Sequence, residues 1–95
     1  MIANFSIFPI GQGESLSLYI TKVFTIIKAS GLPYELHEMG TNLEGEWPEV
    51  MKVIKQCLDK LLEAADRVYV SITIDERKGK PNRLKTKVAS ALAKI

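Results

Sequence analysis

His37 is the only histidine in this 95-residue chain and Cys57 the only cysteine. With one of each, no metal set and no Cys-His catalytic pair is evident, and an intrachain disulfide is excluded. Gly11-Gln12-Gly13 precedes a stretch with helical spacing and resembles half of a phosphate-binding turn. The longer glycine spacing of dinucleotide and P-loop sites is missing, so an ordinary strand-to-helix turn accounts for it. The densest functional signal is acidic, Glu44-Gly45-Glu46-Trp47-Pro48-Glu49. Carboxylates grouped there could bind a cationic ligand or accept hydrogen bonds from an aminopyrimidine. Glu46 and Glu49 are equally explained by favourable placement at a helix start, which leaves Glu44 as the candidate functional acid. Trp47 reads as a hydrophobic anchor or a stacking wall.

The elements that must position these groups follow from period and punctuation. Ile2 to Phe8 alternates with the two-residue period of a strand, ended by Pro9. Ser15 is placed to cap a helix running to about Ser30, with Leu16, Tyr19, Ile20, Val23 and Ile27 on one stripe, Gly31 past its end and Pro33 beyond. Tyr34 to Met39 reads as a second strand, Gly40-Thr41-Asn42 as a turn, and Leu43 to Gly45 as a short third strand. Pro48 in the first turn opens a second helix, whose stripe is Val50, Ile54, Cys57, Leu58, Leu61 and Ala65. Val68 to Asp75 is the clearest strand, and Leu84, Val88 and Leu92 mark a short C-terminal helix from about Asn82. The order βαββαβ predicts an α+β, ferredoxin-like sandwich in a single domain over residues 1–95, with two helices on one face of a four-stranded antiparallel sheet.

Composition narrows the function classes. An apolar fraction of 46% with 25% charged residues suits a globular domain, and no apolar run approaches the roughly 20 residues that span a bilayer. No secretory signal is recognisable in Met1-Ile2-Ala3-Asn4-Phe5. With the lone cysteine on a core stripe, this favours the cytoplasm and no membrane partner. The net charge of +2 hides an asymmetry: residues 1–76 carry all 11 acids and six bases, residues 77–95 seven bases and no acid. A basic tail can meet phosphate or RNA, but this one has no aromatic residue to stack a base, so a solvated helix and loop is the simpler account.

If Ala3, Phe5 and Ile7 face the helices, Asn4, Ser6 and Phe8 face the opposite, open side, joined there by Tyr69, Ser71 and Thr73. A solvated sheet face ordinarily carries Lys and Glu. Small neutral hydrogen-bonding groups beside rings suit a covered surface, either a purely structural interface between two copies or one that leaves polar pockets for a small ligand.

Met39-Gly40-Thr41-Asn42-Leu43-Glu44-Gly45-Glu46-Trp47, followed by Glu49-Val50-Met51, resembles the small thiamine-binding protein family of ferredoxin-like domains. The resemblance extends to Pro9, Gly11 and Gly13, to Gly31-Leu32-Pro33-Tyr34 and to Ile74-Asp75-Glu76-Arg77, nearly the whole chain. Glu38 departs from it, standing where the pattern leads one to expect proline. The resemblance implies sheet-to-sheet dimers that often pair into tetramers, and binding of thiamine or its hydroxymethylpyrimidine moiety without turnover. No cofactor is expected beyond thiamine as a ligand.

The expected ligand site combines Asn4, Ser6, His37, Met39, Thr41, Glu44 and Ser71. Asn4, Ser6, Ser71 and Thr41 would orient a heterocycle by hydrogen bonds, Met39 would offer a polarizable contact and Glu44 the charge complement. The competing classes are an RNA-binding module, which the first strand's lack of basic and aromatic density disfavours, and a purely structural or regulatory oligomer. An enzyme using Glu44, Asp75 and His37 is the remaining class, for which the sequence places no nucleophile beside a base.

Overall fold

The computed structural model describes residues 1–11, 17–79 and 91–93. Its elements are β1 (Ile2–Pro9), α1 (Ser17–Ala29), β2 (Tyr34–His37), β3 (Gly40–Glu44), α2 (Trp47–Leu62) and β4 (Val68–Asp75). The strands form one sheet in the order β2-β3-β1-β4, every neighbouring pair antiparallel. Each helical crossover therefore skips one strand: β1 to β2 passes over β3, and β3 to β4 passes over β1. This is the split βαβ plan of the ferredoxin-like α+β fold. Of the expected C-terminal helix, residues 91–93 are helical, while Asn82, Leu84 and Val88 lie outside the described residues, as do Ser15 and Leu16.

Alternation along β1 and β3 decides which side is buried. Ala3 pairs with Leu43 and Phe5 with Thr41, and all four side chains lie under the helices. Val23 and Ile27 of α1 and Val50, Val53, Ile54, Cys57 and Leu61 of α2 complete the core. The α2 stripe is thus the expected one at Val50, Ile54, Cys57 and Leu61, with Val53 added and Leu58 only half-buried outside the core cluster. Its start is locked locally: the Glu46 N–H donates to Glu49 Oε1 at 3.1 Å, and Pro48 occupies the first turn. Past α1, Gly31 adopts φ +77°, the left-handed conformation that ends a helix most cheaply without a Cβ.

One boundary differs from the sequence expectation, and the site depends on it. Gly40-Thr41-Asn42 is not the turn. Those residues form most of β3, and the hairpin reverses at Glu38-Met39, with His37 paired to Gly40. Gly40 is required by a neighbour: a Cβ there would lie 2.9 Å from Asn4 Oδ1 and 3.2 Å from the Phe5 carbonyl oxygen. Asn42, which resembles a turn residue, is held in the strand by its side chain, accepting a 2.8 Å hydrogen bond from Asn4 Nδ2.

Candidate functional site

β3 begins at Gly40, whereas β1 continues along β4 to Pro9. The stretch Ser6–Pro9 therefore has a neighbour on one side only. On the other side a cleft of about 370 Å³ opens, bounded by this stretch of β1, by α1 and by the β2–β3 turn. Buried Phe5, Thr41, Val23 and Leu61 lie deepest in it. Phe8, Tyr19, Ile20 and Phe24 supply most of the wall, and Ser6, His37, Glu38 and Met39 its polar and polarizable rim. Its volume is at the small end of ligand pockets, and a mostly apolar wall with a few convergent polar groups suits a flat ring system.

The open face of the sheet lies beside the cleft. Across it, Asn4 donates to Asn42, and Asn42 Nδ2 donates to Glu35 Oε1 at 3.4 Å. Glu35 Oε1 is in turn 3.9 Å from His37 Nε2. Ser6 stands opposite Ser71 and Asn4 opposite Thr73. Phe8 and Tyr69 stack with ring centroids 5.4 Å apart. Both rings remain exposed, by 42% and 53%.

The expected site residues divide between these places. Ser6, His37, Met39 and Thr41 come together in the cleft. Thr41 reaches it from the helix side of the sheet, since it pairs with Phe5 and is only 6% exposed. Asn4 and Ser71 belong to the open face and do not line the cleft. Glu44 is also apart from it, at the opposite end of β3, roughly 10 Å from Thr41 at the usual rise of a strand, where it pairs with Ile2 and is 6% exposed. The hairpin expected to bring Glu44 to the site turns at Glu38-Met39 instead, so among the described residues Glu38 is the carboxylate at the cleft. Trp47 is exposed and takes no part in the wall.

Cys57 is sealed in the core, where loss of hydration pushes its thiol up to about 11. It is far from thiolate chemistry at neutral pH. Among the described residues no group of three or more His, Cys, Asp or Glu could hold a metal ion, and no helix is long and apolar enough to cross a membrane.

Residues 3–92 match the family model of the thiamine-binding protein. The chain belongs to this family. The UPF0045 protein MJ1052 of Methanocaldococcus jannaschii is 40% identical over 88 residues, covering 93% of this chain and 88% of the relative. Its crystal structure superposes with a TM-score of 0.86 at 38% identity, over 99% of this chain and 96% of that one. A Thermotoga maritima protein, assigned provisionally to thiamine biosynthesis or salvage, shares the fold with a TM-score of 0.82 at 24% identity, over 95% and 96% of the two chains.

Within this thiamine-binding family chain, the cleft and the open face also bring in Glu35, Glu38 and Asn42, which the expected site did not include. Asn42 was concealed by its turn-like company. The alternation Glu35, His37 against Leu36 could have placed Glu35 on the open face, because it is the period-2 signal that served for β1. The α1 part of the wall had a signal too, since Tyr19 and Ile20 continue the Val23–Ile27 stripe beyond the core.

Proposed function

We propose that this chain binds thiamine or its hydroxymethylpyrimidine moiety without turning it over, in the cleft between β1, α1 and the β2–β3 turn. The cleft itself carries the reading: it is lined by Phe8, Tyr19 and Phe24, with the hydroxyls of Ser6 and Thr41 and the polar rim residues His37 and Glu38. An aminopyrimidine needs a slot of this kind, with ring faces for stacking and a few hydrogen-bonding groups at its edge. Membership of the thiamine-binding family supports the ligand class. Binding without turnover is favoured because the chain's one thiol, Cys57, is sealed in the core and pushed up to about 11, away from use as a nucleophile. Titration calorimetry with thiamine, hydroxymethylpyrimidine and thiamine phosphates tests this reading. Heat that saturates for at least one is the expected result, and none at millimolar concentration sinks it.

In the same reading the open face packs on a second copy in the cytoplasm, as a dimer or a tetramer of two such dimers. Stacked, exposed Phe8 and Tyr69 beside uncharged Asn4, Ser6, Ser71 and Thr73 make a surface that a monomer seldom leaves to water. Light scattering would report at least a dimer at micromolar concentration, and a monomeric mass would remove this part of the proposal. An RNA partner is disfavoured, since strand alternation gives the open face Glu35 and Asp75 and, among the described strand residues, no Lys or Arg, the wrong sign for phosphate contacts.

A further inference from the structure

We propose that Glu38 is a charge-selecting residue of the cleft, so that the site takes a flat heterocycle carrying delocalised positive charge in preference to a neutral one of similar shape. The inference rests on the reading of the cleft as a heterocycle site and adds the property by which it chooses. Among the described residues lining the cleft, Glu38 is the one carboxylate and none is Lys or Arg. It is the first residue of the two-residue turn whose register is fixed by the His37–Gly40 pair, so its position does not depend on a long, wandering loop. Its carboxylate has no hydrogen-bond or ion-pair partner among the described residues. Of the neighbouring described side chains, His37 Nε2 lies 3.9 Å from Glu35 Oε1, and Lys22 Nζ sits 5.9 Å from the Tyr19 ring centroid without lining the cleft. The same cleft is lined by Phe8, Tyr19 and Phe24, and an aromatic ring can attract a cation as well as stack on a heterocycle. A cationic ring thus gains two interactions that a neutral ring lacks, and one of them depends on Glu38.

The test uses two ligand pairs on the wild-type chain and on Glu38→Gln. Thiamine and hydroxymethylpyrimidine form the first pair, cationic and neutral. The second is 1-methylquinolinium and quinoline at mildly alkaline pH, simple rings differing in charge and independent of any thiamine specificity. Calorimetry gives the affinities, and the NMR shift of the Met39 methyl reports occupation of the cleft. Expected in wild type is tighter binding of the cation in each pair, with the gap narrowing as salt is raised. In Glu38→Gln the cation should weaken by about two- to fivefold, the range of an exposed ion pair, with the neutral member unchanged. Equal weakening of both members, or no change in the cation, overturns the proposal provided the variant melts at the wild-type temperature. Binding of the quinolinium with a Glu38-dependent preference, but of neither thiamine nor its pyrimidine, overturns the thiamine reading and leaves charge selection standing. No binding by any of the four at millimolar concentration overturns both.

Discussion

Phe5 and Phe8 lie three residues apart on β1, yet Phe5 is 1% exposed beneath the helices and Phe8 is 42% exposed on the opposite side of the sheet. Phe5 meets side chains from both helices and from β3, all from its own chain. Phe8 has Tyr69 for company and then solvent. The contrast shows where each face gets its definition. On the helix side the core is filled by residues of β1, β3 and both helices, whereas the open side and the cleft rim leave Phe8, Tyr69 and Met39 exposed.

The largest effect follows directly from that contrast. Phe5→Ala removes a large side chain from a site walled by rigid elements and should cost about 3–5 kcal/mol of unfolding free energy. Phe8→Ala should cost only about 0.5–1.5 kcal/mol in the folding of one chain, the scale of a ring pair. Denaturant unfolding of the two variants measures the gap. Equal losses would mean that the open side supports the fold as much as the core does, which would break the comparison.

This division also explains how much was legible in the sequence. The helix side was readable because burial imposes period: Ala3 and Phe5 on β1, and Val50, Ile54, Cys57 and Leu61 on α2 sit where alternation and helical spacing put them. The β2–β3 hairpin was misplaced because Gly40 and Asn42 have the composition of a turn. Their reasons are tertiary, a close approach of Gly40 to Asn4 and Phe5 and a side-chain hydrogen bond from Asn4 to Asn42. A local reading of the chain contains neither neighbour. Moving the turn by a few residues puts Glu38 rather than Glu44 beside the cleft, so a small shift in an element boundary changes which carboxylate stands there.

A second prediction concerns the sealed side. Desolvation raises the Cys57 thiol from 9.0 to about 11 in the folded chain. The unfolded chain therefore gives up this proton at a lower pH than the folded one. Stability from this group is complete below about 9 and is lost progressively as pH rises from there through about 11, by about 2–3 kcal/mol in all. Urea midpoints measured across that interval should fall in wild type. In Cys57→Ala, less stable at neutral pH because of the cavity it leaves, the fall should be shallower. Parallel slopes in the two proteins would show that water reaches the thiol and that the helix side is less tightly sealed than Phe5 implies.

The smallest effect tests the residue that fits neither class. By alternation Glu44 shares the side of Asn42, yet it is 6% exposed, as buried as Thr41 on the helix side. No buried side-chain polar atom among the described residues is left without a partner, so its carboxylate is satisfied where it lies. Its backbone N–H also donates to the Pro33 carbonyl at 3.0 Å, tying the end of β3 to the start of β2. Glu44→Gln keeps the shape and removes the charge. At a buried, partnered position it should cost on the order of 1 kcal/mol of stability, while thiamine affinity stays unchanged because the residue stands apart from the cleft. Thr41→Val is the complement: a hydroxyl lost from the cleft, with affinity expected to fall and little penalty in folding. Lost affinity with unchanged melting in Glu44→Gln would reverse both expectations. It would move the ligand from the β2–β3 turn toward the α2 entrance and make the open side, not the cleft, the place where binding occurs.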